Sequence, residues 1–111
     1  MESKRLQKIE RLIQKDLSEI FLLQTKQLPG IMISVTRVRI SPDLSLAKAY
    51  LSVFPSGKSQ EMITNITANA KTIRYDLGLR IGKQVRRIPE LAFFLDDSID
   101  YLENIDRLLN N

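Results

Sequence analysis

IMISVTRVRISPDLSLAKAYLSVF, residues 31–54, is the stretch that decides the fold of this chain. Residues 31–40 and residues 46–54 are rich in β-branched residues and alternate between apolar and polar positions, which is typical of β-strands. A Ser-Pro-Asp turn signal lies between them, and so short a connection predicts an antiparallel hairpin. The alternation changes phase within the first strand, which predicts a β-bulge near Thr36 or Arg37.

A helical pattern precedes the hairpin. Residues 3–25 carry apolar side chains at spacings of three and four, which puts these side chains on one face of a helix. The apolar residues are Leu6, Ile9, Ile13, Leu17 and Ile20. Basic residues at the same kind of spacing follow the opposite face. The pattern therefore predicts a first helix with one apolar side and one basic side.

A second helical pattern follows the hairpin. It begins after Ser59, a predicted N-cap, and continues to Pro89, which is expected to stop it. This is too long for one undisturbed helix in so small a domain, and polar residues of low helix propensity interrupt it, so two helical pieces are predicted. Gly78 and Gly82 are expected to allow close packing of the second piece on the sheet. The predicted kink residues are Asn69, Ala70 and Lys71.

The residues that follow complete the predicted fold. Residues 91–95 alternate as a third strand. Because a long helical crossover joins it to the second strand, these two strands are predicted to run parallel. A short C-terminal helix is predicted from Asp97 or Ser98 onward. The order α-β-β-α-α-β plus that helix predicts a two-layer α+β fold in a single domain, residues 1–111.

The composition limits the chemistry that the chain can perform. The 111 residues include no histidine and no cysteine, so the usual general base near neutral pH and the usual zinc ligands are missing. We therefore expect no catalytic residues, no metal site and no cofactor. The start of the sequence has no apolar signal segment and no apolar run could span a membrane, so we expect a cytoplasmic protein.

Charge is distributed unevenly along the chain. The formal net charge is +4, although residues 91–111 carry five acidic residues against one basic residue. The rest of the chain is therefore strongly basic, which suggests a polyanionic partner. The acidic residues near the C-terminus have a purely structural explanation, because acidic residues in the first turns of a helix interact favourably with the helix dipole.

Two basic surfaces are the candidate RNA-binding sites. The first helix supplies one, and the second helical piece with the residues after it supplies the other. Arginine suits bidentate phosphate contacts, whereas an ordinary solvated helix face is the alternative explanation. The candidate residues are Lys4, Arg5, Lys8, Arg11 and Lys15 in the first surface, and Lys71, Arg74, Arg80, Lys83, Arg86 and Arg87 in the second.

Aromatic residues are few in this chain. Of the seven, Phe21 and Phe93 are assigned to the core. Recognition of RNA bases by stacking needs exposed aromatic rings. We therefore expect contacts to the RNA backbone more than readout of bases, with Tyr50, Tyr75 and Phe94 as the exceptions.

The strand–crossover–strand order resembles that of a type II KH domain. The G-x-x-G loop of such domains is missing between the two helical pieces, which argues against a standard KH reader of single strands. One family has this element order and lacks the loop, and the chain resembles that family, ribosome-binding factor A. The matching stretches are IQKDL (13–17), VTRVRISPDLS (35–45), AKAYLS (47–52), IR (73–74), LG (77–78), RRIPEL (86–91), Phe93 and DSIDY (97–101). The chain departs from the family at the kink, where Asn-Ala-Lys stands in place of the usual Ala-x-Gly.

The resemblance implies a KH-like fold and a role in ribosome assembly. Such proteins bind the small (30S) ribosomal subunit late in its assembly and favour maturation of 16S rRNA, including its 5′ end, above all in the cold. They are released with help from an assembly GTPase. A monomeric, non-enzymatic factor that binds 16S rRNA is therefore expected. A generic nucleic-acid-binding module and a protein–protein adaptor that uses the acidic end are the alternatives.

Overall fold

The structure, a computed structural model, describes residues 4–28 and 30–96. Over these residues the predicted order α-β-β-α-α-β is confirmed, and the predicted C-terminal helix lies outside the described residues. A short 3-10 turn, Ser56–Lys58, precedes the second helix. The helices and strands are α1 (Lys4–Thr25), β1 (Met32–Ile40), β2 (Leu46–Phe54), α2 (Ser59–Ala68), α3 (Ala70–Ile81) and β3 (Glu90–Leu95).

The three strands form one sheet in the order β1-β2-β3. β1 and β2 are antiparallel, β2 and β3 are parallel, and both predictions are confirmed. The pairing register shifts between Val35 and Arg37, so the bulge is at Thr36, as predicted. Gln14 of α1 stabilises the bulge, because its Nε2 donates to the Val35 carbonyl oxygen at 3.0 Å.

The core lies between the helices and one face of the sheet. Leu17 and Phe21 of α1 are fully buried, and the Phe21 ring meets the Phe93 ring of β3 edge to face, with centroids 5.9 Å apart. Burying a side chain of this size contributes roughly 1.5–3 kcal/mol. From the sheet side, Ala49 and Leu51 of β2 complete the same cluster. The two-layer α+β architecture is therefore confirmed.

The hairpin turn is held by hydrogen bonds to one carboxylate. Ser45 Oγ and Ser41 Oγ donate to Asp43 Oδ1 at 2.7 and 2.8 Å, and the Ser45 N–H donates to the same oxygen at 3.1 Å. These bonds favour the ionised form, with the Ser45 hydroxyl contributing most, and lower the pKa of Asp43 from 3.8 to about 2. Leu44 adopts a positive φ of 61° at the centre of this turn.

The break between α2 and α3 is at Asn69, which confirms the predicted interruption. The Asn69 N–H donates to both the Asn65 and Ile66 carbonyl oxygens, and its side-chain amide donates to the Asn65 oxygen at 2.9 Å. Ala70 and Lys71 are the first two residues of α3. The prediction that Ser59 is an N-cap is wrong. Ser59 already has helical dihedral angles, and the preceding residue makes no side-chain capping bond.

α3 ends at Ile81, so the prediction that this helix continues to Pro89 is wrong. The Gln84 N–H donates to the Ile81 carbonyl oxygen at 2.8 Å, which closes a tighter turn than that of an α-helix. We call residues 82–89 the connecting segment. Val85 and Ile88 keep a helical spacing in sequence, but they pack against the core as half-buried residues of this segment.

Gly78 and Gly82 lie on either side of the end of α3. A Cβ atom at Gly78 would lie 3.5 Å from the Ile88 side chain, so α3 packs here on the connecting segment and not on the sheet as predicted. A Cβ atom at Gly82 would lie only 2.6 Å from the Gly78 carbonyl oxygen. The turn that follows α3 therefore requires glycine at position 82.

Candidate RNA-binding surface

The five basic side chains predicted on α1 are all exposed. Arg5 and Lys8 line a shallow depression of about 390 Å³ together with Gln84 and Val85 of the connecting segment. We call this the basic depression. Arg11 lies elsewhere, in a smaller hollow of about 190 Å³ beside β1. The exposed α1 cations are Lys4, Arg5, Lys8, Arg11 and Lys15.

The connecting segment carries half of the cations predicted for the second surface. Lys83, Arg86 and Arg87 are exposed, and Lys83 and Arg86 directly flank the two residues that line the basic depression. They extend from a turn and not from the continuous helix face that the sequence predicted. The connecting segment thus borders the basic depression and carries exposed cations of its own.

Arg80 is turned toward α1 and its charge is compensated there. Its Nη1 lies 2.6 Å from Glu19 Oε2 and 3.5 Å from Asp16 Oδ1. The Arg80 side chain is 30% exposed and that of Asp16 is 15% exposed, so this ion pair is partly removed from water. Arg80 joins α3 to α1, and its predicted role in RNA binding stays a prediction.

Arg74 holds the end of the connecting segment. Its Nη2 donates to the Ile88 carbonyl oxygen at 2.7 Å, and its Nε donates to the Pro89 carbonyl oxygen at 3.1 Å. Charge-assisted bonds of this kind are stronger than bonds between neutral groups. The guanidinium therefore satisfies backbone acceptors immediately before β3, and its predicted contact with RNA is likewise untested.

Lys71 lies away from the basic depression, in a second groove. This groove has a volume of about 760 Å³ between α3 and β3, and Lys71, Tyr75 and Leu79 are among the residues that line it. Tyr75 is 67% exposed. Because α3 has 12 residues, its two ends are about 18 Å apart at 1.5 Å per residue. Lys71 thus belongs to a separate part of the surface from Lys83.

Three further cations lie on the sheet and were not among the predicted site residues. Arg37, Arg39 and Lys48 are exposed on the face opposite the helices. The signal was available in the sequence, because Arg37 and Arg39 alternate with buried Val38 and Ile40. Alternation of this kind places the two arginines on the face of the sheet opposite the helices.

The part of the chain that the structure describes contains no cluster of three or more His, Cys, Asp or Glu residues able to hold a metal ion. Within the same residues, no helix has both the length and the apolar character needed to cross a membrane. The described surface thus offers cations, backbone groups and a few aromatic rings. Such groups bind and orient a polyanion.

Fold and surface together define a small KH-like α+β domain with a basic face. A family model described as ribosome-binding factor A matches residues 5–109. The chain belongs to the ribosome-binding factor A family. It is 47% identical over 111 residues to ribosome-binding factor A of Cytophaga hutchinsonii, a match that covers 99% of this chain and 84% of that relative. It is 43% identical to the protein of the same name from Flavobacterium johnsoniae, covering 98% of this chain and 85% of that relative.

Solved structures share the fold. The crystal structure of ribosome-binding factor A from Thermus thermophilus matches with a TM-score of 0.67 at 22% identity, covering 81% of this chain and 94% of that chain. Coordinates of the Thermus thermophilus factor fitted into a cryo-EM map of its complex with the 30S subunit match with a TM-score of 0.62 at 21% identity. That match covers 81% of this chain and 93% of the other.

Proposed function

We propose that this protein binds free 30S ribosomal subunits and assists the late maturation of 16S rRNA, including processing of its 5′ end, without catalysing a reaction itself. Membership of the ribosome-binding factor A family supports the proposal. The Thermus thermophilus relative in complex with the 30S subunit supports the same partner. The protein acts in the cytoplasm as a monomer, and an assembly GTPase is a further partner.

The observation that carries the proposal is the basic depression. Arg5 and Lys8 approach it from α1, while Lys83 and Arg86 flank it on the connecting segment. Cations from two elements that converge on one place can follow the phosphates of a folded RNA better than a single row on one helix. Their role is to neutralise phosphates and to fix the orientation of the protein on the RNA.

The mechanism that follows is stabilisation of one rRNA conformation by binding. Each neutralised phosphate releases condensed counterions, so four phosphate contacts give a slope of about −3 in log K against log salt. The ion pairs of Arg80 join α3 to α1, which helps to set the distance between the cations of α1 and those of the connecting segment. An rRNA segment whose phosphates match that distance is stabilised relative to alternatives that do not.

Co-sedimentation with ribosomal particles tests the proposal. The purified protein is mixed with separated small subunits, large subunits and whole ribosomes, and pelleting is measured over a range of salt concentrations. Selective pelleting with free small subunits at moderate salt is the expected result. The contrary result is equal pelleting with all three particles, lost at the same salt concentration. It would mean that the protein binds phosphates nonspecifically, and it would refute a role in small-subunit assembly.

A further inference from the structure

The face of the sheet opposite the described helices carries a row of stacked side chains. Arg37 of β1 is paired with Tyr50 of β2, and Tyr50 is paired with Phe94 of β3. The Tyr50 and Phe94 rings are stacked, with centroids 5.6 Å apart and planes 30° apart. The Arg37 guanidinium carbon lies 4.7 Å from the centre of the Tyr50 ring. A cation and two rings thus form one continuous row across all three strands.

The open part of this row is Phe94. Because β1 and β3 flank β2 on opposite sides, Arg37 and Phe94 approach Tyr50 from opposite sides. Tyr50 therefore holds its two neighbours in place. Phe94 has no further strand beyond it in the described sheet, and it is 43% exposed. A planar group can continue the stack on the outer side of Phe94.

The next row on the same face supplies charge and space. Arg39, Lys48 and Ala92 are aligned across the three strands. Lys48 is exposed in the middle strand of this row. Ala92 has a small side chain next to Phe94 and leaves room beside the ring. The six residues of the two rows include three cations, and the carboxylate next to them, that of Asp96, accepts a hydrogen bond from the Thr36 hydroxyl.

We infer that this sheet face binds unpaired nucleotides of RNA, with one base stacked on Phe94 and the adjoining phosphates bound by Lys48 and Arg37. Stacked aromatic rings next to cations are the usual platform for single-stranded nucleic acid, since every base offers a flat π surface. The inference rests on the proposed function only in taking RNA as the ligand. The sheet face is distinct from the basic depression, which lies on the helical side.

The same face suits a protein partner less well. Its other large apolar residues, Met32 and Phe54, form a separate pair at the far end of the hairpin. The pair Ser34 and Ser52 lies between that apolar pair and the aromatic row. The apolar surface is therefore divided, whereas the core of a protein interface is contiguous and depleted in charge.

Fluorescence anisotropy with short labelled RNA tests the inference. The probes are a single-stranded oligouridine of about ten nucleotides and an RNA duplex of similar length, since stacking requires unpaired bases. The test variant is Phe94→Leu, which keeps an apolar side chain at this half-exposed position and removes the ring. The matched control is Phe54→Leu, which removes an exposed ring from the far end of the hairpin. Thermal unfolding of each variant checks that it folds.

We expect Phe94→Leu to weaken binding of the single strand by about 5- to 100-fold, the usual contribution of stacking on one base. Duplex binding should stay unchanged, and Phe54→Leu should bind the single strand like the unmodified protein. Lys48→Gln should reduce the salt slope for the single strand by about 0.7, the value for one phosphate contact.

Three results would overturn the inference. The first is no detectable binding of the single strand, and the second is equal affinity of Phe94→Leu and the unmodified protein. The third is that Phe94→Leu keeps its affinity for RNA but loses affinity for a ribosomal protein. Co-sedimentation with small subunits separates this inference from the proposed function. Selective pelleting without a Phe94 effect would refute the sheet-face site alone, and a Phe94 effect without selective pelleting would refute the subunit-binding role alone.

Discussion

The connecting segment has two parts, residues 82–87 and residues 88–89, which use charge differently. Residues 82–87 expose Lys83 and Arg86 to solvent beside the basic depression. Residues 88–89 are held by Arg74, which donates to both of their carbonyl oxygens. Immediately afterwards, the Glu90 N–H donates to the Ser45 carbonyl oxygen at 3.0 Å. Residues 82–87 present cations to solvent, whereas residues 88–89 are held in place by Arg74 of α3.

This difference separates two roles that look alike in the sequence. Arg74 and Arg80 have partners within the protein, whereas Lys83 and Arg86 are exposed on either side of the two residues that line the basic depression. A basic stretch therefore contains residues that shape the surface and residues that present charge to a ligand. Substitutions can assign each residue to one role, because loss of a shaping residue lowers stability and loss of a presenting residue lowers affinity.

Reversing the exposed charges of residues 82–87 should have the largest effect on function. We expect Lys83→Glu with Arg86→Glu to weaken small-subunit binding by roughly 10- to 100-fold and to reduce the salt slope by about 2, because two phosphate contacts are lost. Stability should change by less than about 0.5 kcal/mol, as is usual at exposed positions. Co-sedimentation over a salt series measures the first effect, and urea unfolding measures the second.

The matched control is Lys26→Glu with Lys58→Glu, which changes the net charge by the same amount at exposed positions away from the basic depression. If this control weakened binding as much as the test pair, the net charge of the protein would account for the binding. Residues 82–87 would then have no special role in it.

The glycine at the start of the segment should control its path. Gly82→Ala should destabilise the protein by about 1–3 kcal/mol, because the added Cβ would lie 2.6 Å from the Gly78 carbonyl oxygen and the backbone would have to shift. Gly78→Ala is the matched variant. Its Cβ would make an ordinary 3.5 Å contact with Ile88, and alanine has the higher helix propensity. Equal stability of the two variants in urea unfolding would contradict this account of how α3 ends.

The two arginines with internal partners should differ from each other. Arg74→Gln should cost about 1 kcal/mol, because the carbonyl oxygens of Ile88 and of buried Pro89 lose charge-assisted donors. Arg80→Gln should cost about 0.5 kcal/mol, the usual value for a partly exposed ion pair. Urea unfolding at low and high salt measures both. A larger loss for Arg80→Gln would show that the α1–α3 ion pair is the stronger constraint.

The parts of the fold that follow a local pattern were predictable from the sequence. The hairpin, its bulge at Thr36 and the break at Asn69 depend on alternation, turn residues and helix propensity over a few neighbouring residues. The end of α3 was not predictable in this way. Val85 and Ile88 continue a helical spacing, but tertiary packing holds them in a turn.

The candidate site was less predictable than the fold, because its partners are distant in sequence. Arg80 is 61 residues from Glu19, so no local pattern shows that the charge is compensated. The same holds for the meeting of α1 cations with the connecting segment. Arg37 and Arg39 were different, because their alternation with buried residues predicts exposure on the sheet.

The smallest expected effect concerns the turn that receives the end of the connecting segment. Hydrogen bonds from Ser45 and Ser41 lower the pKa of Asp43 to about 2, below its ordinary value of 3.8. A carboxyl group with a lowered pKa in the folded state stabilises the protein fully above its ordinary pKa, and this contribution is lost as the pH falls through the folded value. Asp43→Asn should therefore be less stable than the unmodified protein at neutral pH. The difference should shrink as the pH falls from about 4 toward 2.

Urea unfolding between pH 2 and pH 7 measures this difference, since proton linkage appears as a change of stability with pH. Ser45→Ala sharpens the test, because it removes the 2.7 Å bond to Asp43 Oδ1 and leaves the carboxyl group in place. The pKa of Asp43 should then rise toward its ordinary value, which an NMR titration would detect. A constant stability difference across this pH range would mean that Asp43 contributes through the shape of the turn and not through its charge.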